Sequence, residues 1–242
     1  MSEQALSSNR IVRIYRAMRE LVRDKEDTKQ VFIILEALGR GAAARSFRKF
    51  MASPHCERIL SSDKILLDYL SDRNYLQKLP EGSLGRTYFK FTHAENLTAD
   101  GLVEASEEGR FEQREMSEEQ QRFHTRNRDA HDLWHVVTGY GRDPLGELSL
   151  LAFTFKQMGN WGFLVIIGVG LKVMRGHAPG ISIWPAIREG FKMGGQAKWL
   201  GDAIWEDLLA RPLDEVRHEL GIGKPARYRQ TSREIQQVLA PA

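Results

Sequence analysis

The stretch that decides the fold is residues 131–147, HDLWHVVTGYGRDPLGE. It places His131 and His135 four residues apart, with Asp132 beside the first and Glu147 twelve residues after the second. On an α-helix, residues at i and i+4 project from nearly the same face, so the two imidazoles are able to bind one ion together. The stretch therefore predicts a helix that carries a metal site.

Start and stop signals place Glu147 opposite His135. Gly139 or Gly141 is expected to end the first helix, and Asp143 is expected to cap the next, with Pro144 at its first position. His135 then lies ~6 Å before the end of one helix and Glu147 lies ~6 Å into the other. A short connection favours an antiparallel pair, so we expect the two residues at the same height on facing helices.

Two histidines and one carboxylate form a three-ligand set with open positions. Such a set suits catalytic Zn²⁺ or non-haem Fe(II) rather than a closed structural site. Asp132 lies ~100° round the helix from His131, and two roles stay open for it: a fourth ligand, or a group that orients an imidazole. His124, seven residues before His131, is a spare ligand if the helix is unbroken.

The remaining chain has helical rather than strand periodicity, which predicts an all-α fold of about ten helices with the metal site on an antiparallel helix pair. Ser117 and Gln120 fit a capping box, from which we expect one helix to run through His135. Alternating basic and apolar residues predict an N-terminal helix over Asn9–Lys25. The polar segment Asn96–Arg110 is interpreted as a surface excursion.

Glycines are interpreted as helix ends in two further places. Gly39 and Gly41 are expected to end a helix over Lys29–Leu38. Gly194, with the glycine after it, is expected to end a helix that opens at Trp184.

Length and composition fit one globular unit. The chain has 242 residues, of which 42% are hydrophobic and 28% charged, so a sizeable core is expected. We interpret residues 1–242 as a single domain. The single cysteine, Cys56, excludes an intrachain disulfide and any multi-cysteine metal site.

Neither a targeting segment nor a membrane span is expected. Arginines such as Arg13 and Arg16 interrupt the apolar N-terminal residues, so no signal peptide is predicted. The longest charge-free run, Gln157–Leu171, has fifteen residues, whereas a spanning helix needs about 20. A net charge of +3 allows an anionic membrane surface or an acidic metabolite as partner, and no nucleic-acid partner is expected. We predict a cytoplasmic protein.

A His-Asp motif also occurs in other metal-dependent enzymes. HD-type phosphohydrolases also need an upstream His, for which His93 is available, and a downstream Asp, of which none stands out. Zinc peptidases with HExxH place a Glu where Asp132 stands, and the shorter Asp would reach poorly. The phosphohydrolase stays a minor alternative.

These residues resemble the coenzyme Q (ubiquinone) biosynthesis protein 4 family. The family signature, H-D-x-x-H, eleven residues, then E, is matched at all four positions: His131, Asp132, His135 and Glu147. Residues 79–88, LPEGSLGRTY, and 205–222 are similar to further family segments. The resemblance covers about residues 28–222.

The resemblance implies a helical, metal-binding protein of ubiquinone synthesis. It implies loss of the carboxyl group at ring C1 of a polyprenylated hydroxybenzoate, coupled to hydroxylation of that carbon. All four signature residues are implied as ligands, with zinc the usual assignment. If the reaction is oxidative, iron or manganese makes more chemical sense, because zinc does not change valence.

The same resemblance implies partners and a location. Polyprenylated benzoate and quinone intermediates, other ubiquinone-synthesis enzymes and a membrane surface are expected, and a homodimer is a candidate. The expected location is peripheral, at the inner face of the cytoplasmic membrane. The competing interpretation is a prenyl-lipid-binding scaffold that organises the other enzymes without catalysis of its own.

Substrate-binding candidates follow from that implied chemistry. Arg128, one turn before His131, and Arg142, in the connection, are candidates for gripping a carboxylate. An isoprenoid tail would need a long apolar groove, and its candidate lining residues are Phe153, Trp161, Phe163 and Ile167.

Overall fold

The computed structural model describes residues 14–20, 28–94 and 116–239. Within these ranges the chain forms helices and no strand, which confirms the all-α prediction. Residues 14–20 are helical. The helices that follow are α1 (Thr28–Met51), α2 (Cys56–Ser61), α3 (Leu66–Ser71), α4 (Arg73–Lys78), α5 (Leu84–Ala94), α6 (Glu118–Asp129), α7 (His131–Thr138), α8 (Pro144–Met158), α9 (Gly162–His177), α10 (Trp184–Gln196), α11 (Trp205–Leu208), α12 (Leu213–Leu220) and α13 (Ala226–Leu239), with a 3₁₀ turn at Leu200–Asp202.

Two sequence predictions fall wholly or partly outside these ranges. The surface excursion expected at Asn96–Arg110 lies outside the described residues. Of the N-terminal helix expected over Asn9–Lys25, only residues 14–20 are described, and they are helical.

Helix α8 is the packing centre, with close contacts to both α9 and α10. Its contact with α10 depends on glycine: a Cβ at Gly190 would lie 2.2 Å from the carbonyl oxygen of Ser149, and one at Gly194 would lie 2.5 Å from that of Phe153. The prediction that Gly194 ends its helix is therefore wrong, because the missing Cβ serves close packing and α10 continues to Gln196.

The predicted break at Gly39 and Gly41 is wrong for a similar reason. Helix α1 runs through both residues. A Cβ at Gly39 would lie 2.3 Å from Nδ2 of Asn160, which donates a hydrogen bond to the carbonyl of Leu35. The glycine leaves room for this tie between α1 and the start of α9.

The main core surrounds α7 and α8. Leu133 on α7 and Phe153 on α8 have no exposed surface, and the rings of Trp134 and Phe153 meet edge to face with centroids 6.0 Å apart. Burying each such side chain contributes about 1.5–3 kcal/mol. The core thereby fixes the helix that carries the two histidines.

Candidate metal centre

The helix expected from Ser117 through His135 is two helices. The capping box is present: the Ser117 hydroxyl accepts from the Gln120 amide, and the Gln120 side chain accepts from the Ser117 amide. Helix α6 then ends at Asp129, and Ala130 separates it from α7. The prediction of an unbroken helix is wrong, and His124 does not join the cluster described next.

Three side chains from the first turns of α7 converge. Ligand atoms of His131, Asp132 and His135 all lie within 4.8 Å of one another. The two imidazoles are nearly perpendicular, with centroids 4.9 Å apart. Asp132 and His135 are buried, so the cluster lies largely away from water.

The hydrogen bond of His135 fixes its tautomer. Its Nδ1 lies 3.1 Å from the backbone carbonyl of Tyr140, and a carbonyl only accepts, so Nδ1 carries the hydrogen. In the neutral ring, the lone pair of Nε2 then faces the cluster, which is the arrangement found in metal-ligating histidines.

Two buried atoms of the cluster have no hydrogen-bond partner among the described residues: Nε2 of His135 and Oδ1 of Asp132. A buried polar atom without a partner costs about 1–3 kcal/mol. Both atoms are electron-pair donors of the kinds that bind divalent cations. The residues present therefore fit a divalent metal ion.

Helix α8 adds Glu147 to this cluster. The Asp143 carboxylate caps the helix by accepting from the amides of Leu145 and Gly146, at 3.2 and 3.1 Å. Oε1 of Glu147, one turn in, lies 3.4 Å from Nε2 of His135. Two ligands bound tetrahedrally to zinc at their usual bond lengths would be ~3.3 Å apart.

The electrostatics favour the metal-binding protonation states. Burial and the neighbouring His135 lower the pKa of His131. Burial raises the pKa of Glu147, but a hydrogen bond from His135 and the positive charges that His135, His131 and Arg142 carry when protonated outweigh it, so this pKa is lowered. A neutral imidazole and an ionised carboxylate are the forms that bind metals.

Two residues from the C-terminal helices hold the α7–α8 connection. Arg217 on α12 donates to the carbonyls of Val137 and Val136, at 2.8 and 3.0 Å, at the end of α7. Tyr228 on α13 donates its hydroxyl hydrogen to Asp143 and accepts from the Gly141 amide. Sequence reasoning missed both residues, because no local pattern encodes a contact across eighty positions.

Phe91 on α5 is a further residue that sequence reasoning missed. Its ring stacks on His135 with centroids 5.7 Å apart. The partly buried aromatic ring places an apolar wall beside the imidazole.

The two candidate substrate arginines have different surroundings. Arg142 lies beside the cluster, its Nε 4.0 Å from Oε1 of Glu147. Arg128 forms hydrogen bonds to the carboxylate of Asp129. Of the two, Arg142 is the one placed to meet a ligand of the cluster.

The four candidate tail-binding residues do not share one environment. Phe153 and Ile167 belong to the main core, Phe163 is partly buried, and Trp161 is 62% exposed. The apolar groove stays a prediction. His93 is exposed and contacts Arg73, so it does not supply the upstream ligand that a phosphohydrolase needs.

Fold and site together define a helical protein with a buried His–Asp–His cluster that a glutamate approaches from the next helix. The family model for Coenzyme Q (ubiquinone) biosynthesis protein Coq4 matches residues 6–226. The chain therefore belongs to the Coq4 family, and it has a role in ubiquinone biosynthesis.

Two fungal relatives illustrate the similarity. Ubiquinone biosynthesis protein coq4, mitochondrial, of Talaromyces stipitatus is 32% identical over 218 residues, covering 84% of this chain and 70% of that protein. The protein of the same name from Talaromyces marneffei is 29% identical over the same shares. Their names place those proteins in mitochondria.

A solved structure has a similar fold. It is that of a candidate ubiquinone biosynthesis protein from Nostoc punctiforme, with a TM-score of 0.64 at 20% identity, covering 90% of this chain and 99% of that chain. Within the described residues, no helix combines the length and the apolar character needed to cross a bilayer. The cytoplasmic location stays a prediction.

Proposed function

We propose that this chain replaces the ring C1 carboxyl group of a polyprenylated hydroxybenzoate by a hydroxyl group during ubiquinone biosynthesis. His131, Asp132, His135 and Glu147 would hold a divalent metal ion. Family membership supports the pathway, and the ring chemistry extends the family resemblance to this chain. Zinc is the first candidate ion, with iron or manganese as redox-active alternatives.

The observation that carries the proposal is the pair of unpartnered buried atoms, Nε2 of His135 and Oδ1 of Asp132. Both atoms would bind an ion. Four protein ligands would fill a tetrahedral zinc site, so binding of a substrate would require a fifth position on the ion. When bound, the ion would supply a Lewis acid at the carboxylate or phenolate of the ring.

The chain's own residues would orient the substrate. Arg142, beside Glu147, is placed to bind a substrate carboxylate by charge-assisted hydrogen bonds. The wall formed by Phe91 at His135 favours an aromatic ring. Exchanging carboxyl for hydroxyl breaks the ring–carboxyl bond, releases CO₂ and oxidises the ring by two electrons. Water would supply the hydroxyl oxygen, and dioxygen would accept the two electrons and two protons as hydrogen peroxide (ArCOOH + H₂O + O₂ → ArOH + CO₂ + H₂O₂).

Metal analysis and product analysis on one preparation test this proposal. Protein purified anaerobically is analysed by mass spectrometry for bound metal, then given a prenylated 4-hydroxybenzoate and oxygen, and CO₂ is measured. We expect release by the wild type and by Glu215→Ala, an exposed glutamate on α12, and none by His131→Ala or Glu147→Ala. Ligand variants that still release CO₂ would overturn the proposal.

Ubiquinone synthesis in cells that carry the ligand variants distinguishes a catalytic function from a scaffolding function. If His131→Ala and Glu147→Ala leave ubiquinone synthesis intact, the catalytic proposal fails and the prenyl-lipid-binding scaffold remains. Co-purification of other ubiquinone-synthesis enzymes that survives metal removal would also support the scaffold. We propose the same partners under either function, with a homodimer as a candidate assembly.

A further inference from the structure

The segment that follows Glu147 is strongly biased in charge. Between Leu148 and Gly201 there is one acidic residue, Glu189, and six basic ones: Lys156, Lys172, Arg175, Arg188, Lys192 and Lys198. The Glu189 carboxylate accepts from the amides of Arg227 and Tyr228, so it is engaged at the start of α13. The surface of α8, α9 and α10 is therefore positively charged.

A row of four aromatic rings crosses this surface. Centroid distances are 5.7 Å from Trp161 to Phe155, 5.9 Å from Phe155 to Phe191 and 6.4 Å from Phe191 to Trp184. The tryptophans at its two ends are 62% and 50% exposed. Large exposed aromatic groups in contact with one another mark an interaction surface.

Helix α10 combines the two properties on one face. Trp184, Arg188 and Lys192 are spaced four apart and all are exposed, so they lie along one side of the helix. The opposite side carries Gly190 and Gly194, which pack against α8. Neither Arg188 nor Lys192 forms an ion pair with any other residue that the structure describes.

We propose that this aromatic–basic face, formed by Phe155, Trp161, Trp184, Arg188, Phe191 and Lys192, docks the protein on an anionic phospholipid bilayer. Tryptophan is favoured at the level of the lipid headgroups, and cations beside it are attracted to anionic lipids. The bilayer would also be the source of the prenylated substrate. That part of the inference rests on the proposed function.

Charge argues against a second copy of this chain as the occupant. A two-fold symmetric contact brings the same patch of both subunits together. Arg188 and Lys192 would then face the same basic patch of the other subunit, and like charges brought together in an interface are unfavourable. An anionic bilayer complements the same charges.

Vesicle binding of the full chain tests the docking without substrate or metal. Protein is sedimented with vesicles of phosphatidylglycerol and phosphatidylcholine in equal parts, and with phosphatidylcholine alone. We expect binding to the anionic vesicles that weakens with salt. Arg188→Gln with Lys192→Gln is expected to lower partitioning about 25-fold, since each cation near an anionic surface contributes about fivefold.

A charge-matched control uses Lys64→Gln with Lys78→Gln. Both lysines are exposed, on the α3 and α4 side of the molecule, and this variant is expected to bind as the wild type does. Brominated lipid chains should quench the tryptophan fluorescence of the wild type. Trp161→Phe with Trp184→Phe should lose most of that quenching, because Trp134 and Trp205 are buried and Trp199 is partly buried.

Equal binding by the wild type and the Arg188/Lys192 variant, with both shown to be folded by circular dichroism, overturns the docking. So does a variant that leaves vesicle binding unchanged but converts a dimer to a monomer in sedimentation equilibrium, which would identify a second copy as the occupant. Neither outcome touches metal binding or CO₂ release, so this inference and the proposed function fail separately.

Discussion

Nε2 of His135 and Oε1 of Glu147 face each other across 3.4 Å, on two helices joined by the five residues 139–143. Because Nδ1 of His135 donates to the carbonyl of Tyr140, both facing atoms carry lone pairs when the imidazole is neutral. Such atoms repel unless a proton or a cation lies between them. The stability of the packing between α7 and α8 is therefore expected to depend on whether a proton or a cation lies between these two atoms.

Metal binding should stabilise the fold. With a free ion at about 100 times its dissociation constant, the free energy of unfolding is expected to rise by about 2.7 kcal/mol. Denaturant unfolding of chelator-treated protein with and without added Zn²⁺ measures this. Glu147→Gln keeps the size of the side chain but removes its charge, and it should lose most of the gain. An unchanged gain would remove Glu147 from the ligand set, while Glu215→Gln should behave as the wild type.

The start of α8 tolerates no side chain at Gly146. A Cβ there would lie 2.0 Å from the carbonyl oxygen of Gly141, so Gly146→Ala is expected to cost about 1–3 kcal/mol of stability and to weaken metal binding by moving Glu147. Gly168 in α9 has open space around it. Gly168→Ala should therefore stabilise by about 0.5–1 kcal/mol. Equal effects of the two variants in thermal unfolding would contradict this account.

Asp143 and Tyr228 should act together. Asp143→Ala removes the helix cap and is expected to cost about 1 kcal/mol. Tyr228→Phe removes hydrogen bonds to Asp143 and Gly141, at about 1–2 kcal/mol. Because they share a bond, the double variant should cost less than the sum. A double-mutant cycle from unfolding curves gives the coupling, and simple additivity would show that the bond contributes nothing.

The buried ion pair between Arg126 and Glu206 should contribute to the loss of stability at low pH. Burial raises the pKa of Glu206, but the hydrogen bonds and charge of Arg126 outweigh it and lower this pKa overall. A carboxyl group with a lowered folded pKa contributes stability above its unfolded pKa and loses it as pH falls through the folded value. Glu206→Gln should therefore flatten the loss of stability with pH below about 4.3.

At neutral pH the same variant should destabilise the protein, because it leaves the buried Arg126 guanidinium without its partner charge. The expected cost is about 2–4 kcal/mol, near the range for broken buried pairs. Glu219→Gln is the control: its pair with Arg211 is well exposed, so the cost should stay below about 1 kcal/mol. Urea unfolding across a pH series measures both variants, and indistinguishable curves would contradict the assignment.

Local signals predicted helix ends near the cluster well because they act within one turn of helix. The Ser117–Gln120 capping box, the left-handed Gly139 at the end of α7 and the Asp143 cap all lie where the sequence predicted them. They were sufficient to bring Glu147 opposite His135. The family resemblance added Asp132, which the structure places in the cluster.

Packing explains what the sequence could not predict. Gly39 and Gly194 are glycines of the kind that often end helices. Both nevertheless lie inside helices, where atoms of another segment of the protein occupy the space that a Cβ would need. Ala130 lies between α6 and α7, and alanine is the strongest helix former, so no propensity marks the break. Arg217 and Tyr228 reach the site from helices formed much later in the chain, a relationship that only the folded backbone reveals.

The late position of Arg217 in the chain affects when the metal site is completed during synthesis. All four candidate ligands leave the ribosome about eighty residues before Arg217, whose guanidinium holds the last carbonyls of α7, and Tyr228 follows later still. A nascent chain that already displays His131, Asp132, His135 and Glu147 thus lacks the groups that fix their helices. We expect high-affinity metal loading to follow the completion of synthesis, so that truncated chains do not sequester the ion.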